Sequence, residues 1–85
     1  METKMKLYHL PGCPYCARAI NKIDELNIRE HIDFIEVPRA HEERTELAAL
    51  TNGIVGVPTL IDGTTIIADD DDKIIVYLGE KFKIK

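Results

Sequence analysis

Apolar and polar residues follow two different periods along this chain. From Lys4 to Leu10 a loose alternation carries Leu7, Tyr8 and Leu10, which predicts a short buried strand stopped by Pro11-Gly12. From Pro14 to about Asn27 the apolar residues Cys16, Ala19, Ile20, Ile23 and Leu26 recur every three or four positions. Arg18, Lys22 and Glu25 fall between them, so the segment predicts an amphipathic helix. Ile32–Val37 reads as a second strand, ended by Pro38, which cannot donate to a ladder. Ala40 to about Leu50 predicts a second helix with Leu47 and Leu50 inward and Glu42, Glu43, Arg44 and Glu46 outward, leaving through Asn52-Gly53.

The last third changes character again. Val57–Ile61 predicts a short apolar strand, Asp62-Gly63 a hairpin turn, and Thr64–Ile67 the returning strand. Asp69–Asp72 then precede Ile74, Ile75, Tyr77 and Leu78, as expected of a helix whose start favours negative charge, fraying near Lys81. The order is βαβαββα: an α/β fold of thioredoxin-like layout, with three helices and a mixed four-stranded sheet. A right-handed crossover makes the first two strands parallel, with the hairpin antiparallel beside them.

Composition narrows the function. Eighty-five residues, 45% hydrophobic and 31% charged, suit one globular domain. A formal net charge of −4 opposes attraction to phosphate backbones, so nucleic acid is not an expected partner. Met1–Lys6 has no apolar signal-peptide core, and no later apolar run could span a bilayer; the expectation is a cytoplasmic protein with no membrane partner.

Both cysteines lie in one tetrapeptide, Cys13-Pro14-Tyr15-Cys16. A bridge there closes almost no loop and adds little stability, so the thiols are chemical and not architectural. Cys13 stands just before a helix opened by Pro14, whose missing N–H costs nothing there. Free amides and the positive helix end favour a thiolate over a thiol at Cys13, the expected nucleophile. Cys16, one turn deeper on the same face, is the expected resolving thiol. Zinc wants four ligands, and His9, His31 and His41 read as isolated surface residues at no finger-like spacing, so no metal is expected.

The C-P-Y-C motif, the Val57-Pro58 pair and the Asp-Gly turn before an acidic helix start together resemble the glutaredoxin family, of the dithiol type, over nearly the whole chain. The stretch from Val57 to Leu78 also resembles part of a glutathione transferase thiol-binding domain. The resemblance implies a single domain over residues 1–85, working as a monomer. It implies an enzyme that reduces protein disulfides and glutathione mixed disulfides, with glutathione as reducing co-substrate and no bound cofactor. It further implies that Pro58 is cis, that the Val57 backbone pairs with the cysteinyl part of glutathione, and that Asp70 and Asp71 meet the γ-glutamyl end. Tyr15 is expected beside the dithiol, its ring shielding the sulfurs, and Tyr8 in the core.

The chain departs from the family pattern in two places. Ala68-Asp69 stands where many members carry Gly-Gly, and Leu10 replaces a lysine that would meet the glycine carboxylate of glutathione, a task Arg39 or Arg44 could take. Two alternatives follow: a glutaredoxin-like electron donor reduced by thioredoxin reductase, and a non-enzymatic metal or iron–sulfur carrier built across a dimer.

Overall fold

The computed structural model describes residues 4–83; the amino-terminal residues read for a targeting signal lie partly outside that range. Strand β1 (Met5–His9) pairs in parallel with β2 (Ile32–Glu36), Leu7 opposite Phe34. On its other side β1 runs antiparallel to β3 (Thr59–Asp62), Leu7 opposite Leu60 and Tyr8 opposite Thr59. The Asp62-Gly63 turn, with Gly63 at φ 62°, returns the chain into β4 (Thr65–Ile67). Sheet order is β2-β1-β3-β4, with the first two strands parallel and the hairpin antiparallel beside them, as expected.

Alternation along the strands sorts the core into two layers. Met5, Leu7, Ile32 and Leu60 point to one face, where Ala19 and Ile23 of α1 (Pro14–Leu26) and Ile74 and Leu78 of α3 (Asp71–Lys81) cover them. Tyr8 and Val37 point to the opposite face and pack on Leu47 of α2 (Thr45–Thr51). Helices on both faces of a mixed sheet are the expected architecture. No helix among the described residues is long and apolar enough to cross a membrane.

Helix ends obey local chemistry. Asn27 and Asn52 leave α1 and α2 in left-handed backbone, at φ 57° and 61°, where asparagine is tolerated. Asp70 accepts the Lys73 N–H at 3.0 Å and caps α3.

The second helix needs correction. In place of one helix from Ala40 there is a single 3-10 turn (His41–Glu43), a break at Arg44, and then the seven-residue α2. Arg44, expected outward, is only 4% exposed, and Leu50, expected inward, is 40% exposed. The break at Arg44 starts α2 on a new phase, which keeps Leu47 in the core and rolls Leu50 out. The histidines also differ from expectation: His41 is exposed, but His9 and His31 are half-buried with their rings on Phe34 and Phe82.

Candidate functional site

Pro11 and Gly12 turn the chain out of β1, with Gly12 at φ 85°, a conformation that costs glycine nothing. The turn closes with the Cys13 N–H donated to the Leu10 carbonyl at 3.2 Å. Cys13 itself is the N-cap of α1 in extended backbone, followed by Pro14 at the first helical position. Its sulfur is half-buried and accepts the Cys16 N–H at 3.4 Å, one of the amides a helix start leaves without an internal partner.

Cys16 sits on the inner face of α1, 1% exposed, and is a free thiol like Cys13. Burial pushes its thiol up to about 11, hydrogen bonding to the Leu10 backbone pulls it down, and the neighbouring Cys13 raises it further. The two sulfurs therefore sit in unlike surroundings, one capping a helix at the surface and one held protonated inside.

The Val57–Pro58 peptide bond is cis, as the family resemblance implied, and Pro58 is fully buried. The β1–β3 pairing ends at Tyr8 opposite Thr59, the residue that follows the cis proline. Val57 shares a cluster with Leu10, whose carbonyl accepts the Cys13 N–H. Thr59, fully buried, donates its hydroxyl to the Gly56 carbonyl at 2.9 Å and fixes the approach to the cis bond.

Arg44 is not at the surface to meet a ligand carboxylate. Its guanidinium donates to the carbonyls of Pro38 (2.7 Å), Val55 (2.8 Å) and Arg39 (3.2 Å), tying the end of β2 to the loop before the cis proline. Arg39, the other cation considered, is exposed and contributes its carbonyl to that clamp.

The aspartates at the start of α3 are each engaged. Asp70 uses Oδ1 as the helix cap, and Asp71 Oδ2 pairs with Arg18 of α1. Asp72 pairs with the other arm of Arg18 at 2.9 Å. Their carboxylates lie within 4.8 Å of one another, a spacing a cation could bridge, but Arg18 already supplies the counter-charge. Tyr15, expected beside the dithiol, is 59% exposed.

The structure places Cys13 and Cys16 at the start of α1, a cis bond at Val57–Pro58, and Asp70 and Asp71 at the start of α3, where the sequence expected them. Sequence reasoning missed Arg18 as the counter-charge that ties α1 to Asp71 and Asp72, and Arg44 as the loop clamp. Arg18 lies 53 residues from Asp71, and only its place one turn past Cys13-Pro14 hinted at the dithiol end.

Known structures share this framework. A glutathione transferase of Bombyx mori, BmGSTD1, superposes with a TM-score of 0.81 at 21% identity, covering 98% of this chain and 38% of its own. Glutathione transferase E6 of Drosophila melanogaster gives 0.79 at 27% identity, over 96% and 36%. The chain therefore spans less than two fifths of these transferases' length. A glutaredoxin solved in a study of metal binding by glutaredoxins gives 0.53 at 25% identity, over 94% of this chain and 80% of its own. No curated protein matches the sequence. The glutaredoxin family model matches residues 5–66, a stretch that contains both thiols, the buried arginine clamp and the cis proline, and the chain belongs to the glutaredoxin family.

Proposed function

We propose that this chain is a glutathione-dependent thiol–disulfide oxidoreductase, acting as a cytoplasmic monomer on protein disulfides and glutathione mixed disulfides. The observation that carries the reading is the Cys13 sulfur at the start of α1, half-buried and accepting the Cys16 N–H. The Cys16 N–H is placed to donate to charge that develops on this sulfur during exchange. Cys13 Sγ attacks one substrate sulfur; a new S–S bond forms as the old one breaks, and the electron pair leaves on the second sulfur, which takes a proton from water. Cys16 then attacks Cys13 Sγ, closing the Cys13–Cys16 disulfide, and its proton passes to the departing thiolate. Two glutathione thiols, oxidised to glutathione disulfide, return the electrons.

In this reading the Val57 backbone pairs with the extended cysteinyl part of the substrate. The amides that start α3 take a carboxylate of glutathione. Asp70 Oδ2 and Asp71 Oδ1, the oxygens not used for the cap and the Arg18 pair, meet its ammonium, and Tyr15 offers its ring to the substrate from the rim.

Cys13→Ser should abolish reduction of every disulfide, whereas Cys16→Ser should keep activity on glutathione mixed disulfides and lose it on protein disulfides. Steady-state rates with each substrate check this; equal total loss in both variants contradicts the assignment.

A second reading, reduction by thioredoxin reductase, draws support from Leu10, which replaces the family's lysine, and from the inward turn of Arg44, which removes one of the two candidate substitutes for it. Following NADPH loss with glutathione plus its reductase, and separately with thioredoxin reductase, distinguishes the two.

A further inference from the structure

Asp69 joins β4 to α3 in left-handed backbone, φ 53°. Aspartate is one of the few residues other than glycine that enter this region. Its N–H donates to Thr59 Oγ1 at 3.2 Å, and that hydroxyl donates to the Gly56 carbonyl. The turn so anchored lays the Asp69 carboxylate directly on Gly56: a Cβ on that glycine would collide with the carboxyl carbon and both oxygens. Gly56 immediately precedes the cis Val57–Pro58 bond. An exposed negative charge is therefore held against the residue before Val57, which packs on the same cluster as Leu10, the acceptor of the Cys13 N–H, and no step of the exchange chemistry uses it.

The surrounding charges reinforce it. The segments framing the dithiol (9–18, 54–58 and 68–73) carry Asp69, Asp70, Asp71 and Asp72 against only Arg18 and Lys73, with one histidine, His9. Arg18 is tied to Asp71 and Asp72, and Arg44 faces three carbonyls. Leu10 brings no cation to the entrance, and Arg39 is exposed beyond Pro38.

We propose that Asp69 is a specificity-determining residue, which makes this dithiol select disulfides flanked by lysine or arginine on a protein partner over disulfides flanked by carboxylates. The inference rests on the exchange reading above and adds the class of substrate. Glutathione, with two carboxylates to one ammonium, is then a slower partner than a basic protein segment. Unit charges about 7 Å apart in water change a rate constant about 2.5-fold, upward for a cation and downward for an anion, so the ratio of the two shifts about fivefold, an effect that about 1 M salt removes.

Three small disulfides of graded charge test it: cystamine (dicationic), hydroxyethyl disulfide (neutral) and dithiodipropionate (dianionic). Each second-order rate constant with the reduced protein is divided by that with free 2-mercaptoethanol, to remove intrinsic reactivity. The wild-type order should be cationic, neutral, anionic. Asp69→Asn keeps the left-handed backbone accessible and should narrow the cationic-to-anionic ratio about fivefold, with Asp69→Gly agreeing. Asp33→Asn removes the same charge from β2, where Asp33 lies opposite Lys6 on β1, and should leave the ratio unchanged. A ratio that Asp69→Asn does not move, or an anionic preference in the wild type, overturns the proposal while the exchange reading stands. Failure of the wild type to reduce any of the three overturns the exchange reading, and the selectivity with it.

Discussion

Arg44 carries a full charge into a place where only 4% of its surface meets water, and three backbone carbonyls make that tolerable. Buried charge is costly unless its hydrogen-bonding capacity is filled. Here the guanidinium fork suits acceptors on two separate segments, 38–39 and 55, which a lysine ammonium could not span in the same plane. Truncation leaves three carbonyls without donors at the loop that leads into the cis proline. Arg44→Met should lower the unfolding free energy by about 3 kcal/mol, with Arg44→Lys retaining part of it, as read from urea midpoints at constant slope. A loss under about 0.5 kcal/mol in the methionine variant would show that the clamp is dispensable.

At the scale of elements, what was legible in the sequence is what local chemistry decides. Helix α1 announces itself through Pro14, a three-four apolar rhythm and Asn27; the hairpin announces itself through Asp62-Gly63. Helix α2 was legible as an element but not in its start or its facing, because an arginine among glutamates looks like a solvated face, and the carbonyls that draw it inward belong to residues 38, 39 and 55. The same holds for the candidate site. Both thiols and the Val57–Pro58 edge were readable as motifs, but the placement of Asp69 on Gly56 depends on a left-handed turn that no spacing reveals. Helix α3 shows how much one local contact is worth. Asp70 supplies its cap, so Asp70→Ala should cost about 1 kcal/mol. That cost corresponds to a fall in Tm of about 4–8 °C for a chain of this size. Asp70→Ser, which restores an acceptor, should recover most of it in the same thermal scan.

Across the whole molecule, the shifted groups define a window of stability against pH. On the alkaline side, burial raises Cys16 from 9.0 to about 11, and burial with the Glu46 hydrogen bond raises Tyr8 from 10.0 to about 12. The hydrogen bond to Asp62 raises Tyr77, and the same carboxylate raises Lys81. A group whose folded value lies above its unfolded value contributes its full stability below the unfolded value and loses it as pH climbs through the folded one. All four groups act in the same direction, so unfolding free energy should hold up to about pH 9 and fall steeply toward pH 12. On the acid side, burial lowers His9 from 6.5, and Lys81 with Tyr77 lowers Asp62 from 3.8; both contributions are present above those values and are lost as pH falls through the folded ones. Urea unfolding measured from pH 3 to 12 should therefore show a plateau between roughly pH 6.5 and 9. Among these groups Tyr8 has a single side-chain partner, donating to Glu46 Oε2 at 2.7 Å. Removing its hydroxyl in Tyr8→Phe should leave the plateau nearly unchanged, since Glu46 is exposed and can turn to water. It should also flatten the fall above pH 10 by on the order of 2 kcal/mol. An alkaline limb of equal steepness in both proteins would show that the Tyr8–Glu46 pair does not couple ionisation to folding.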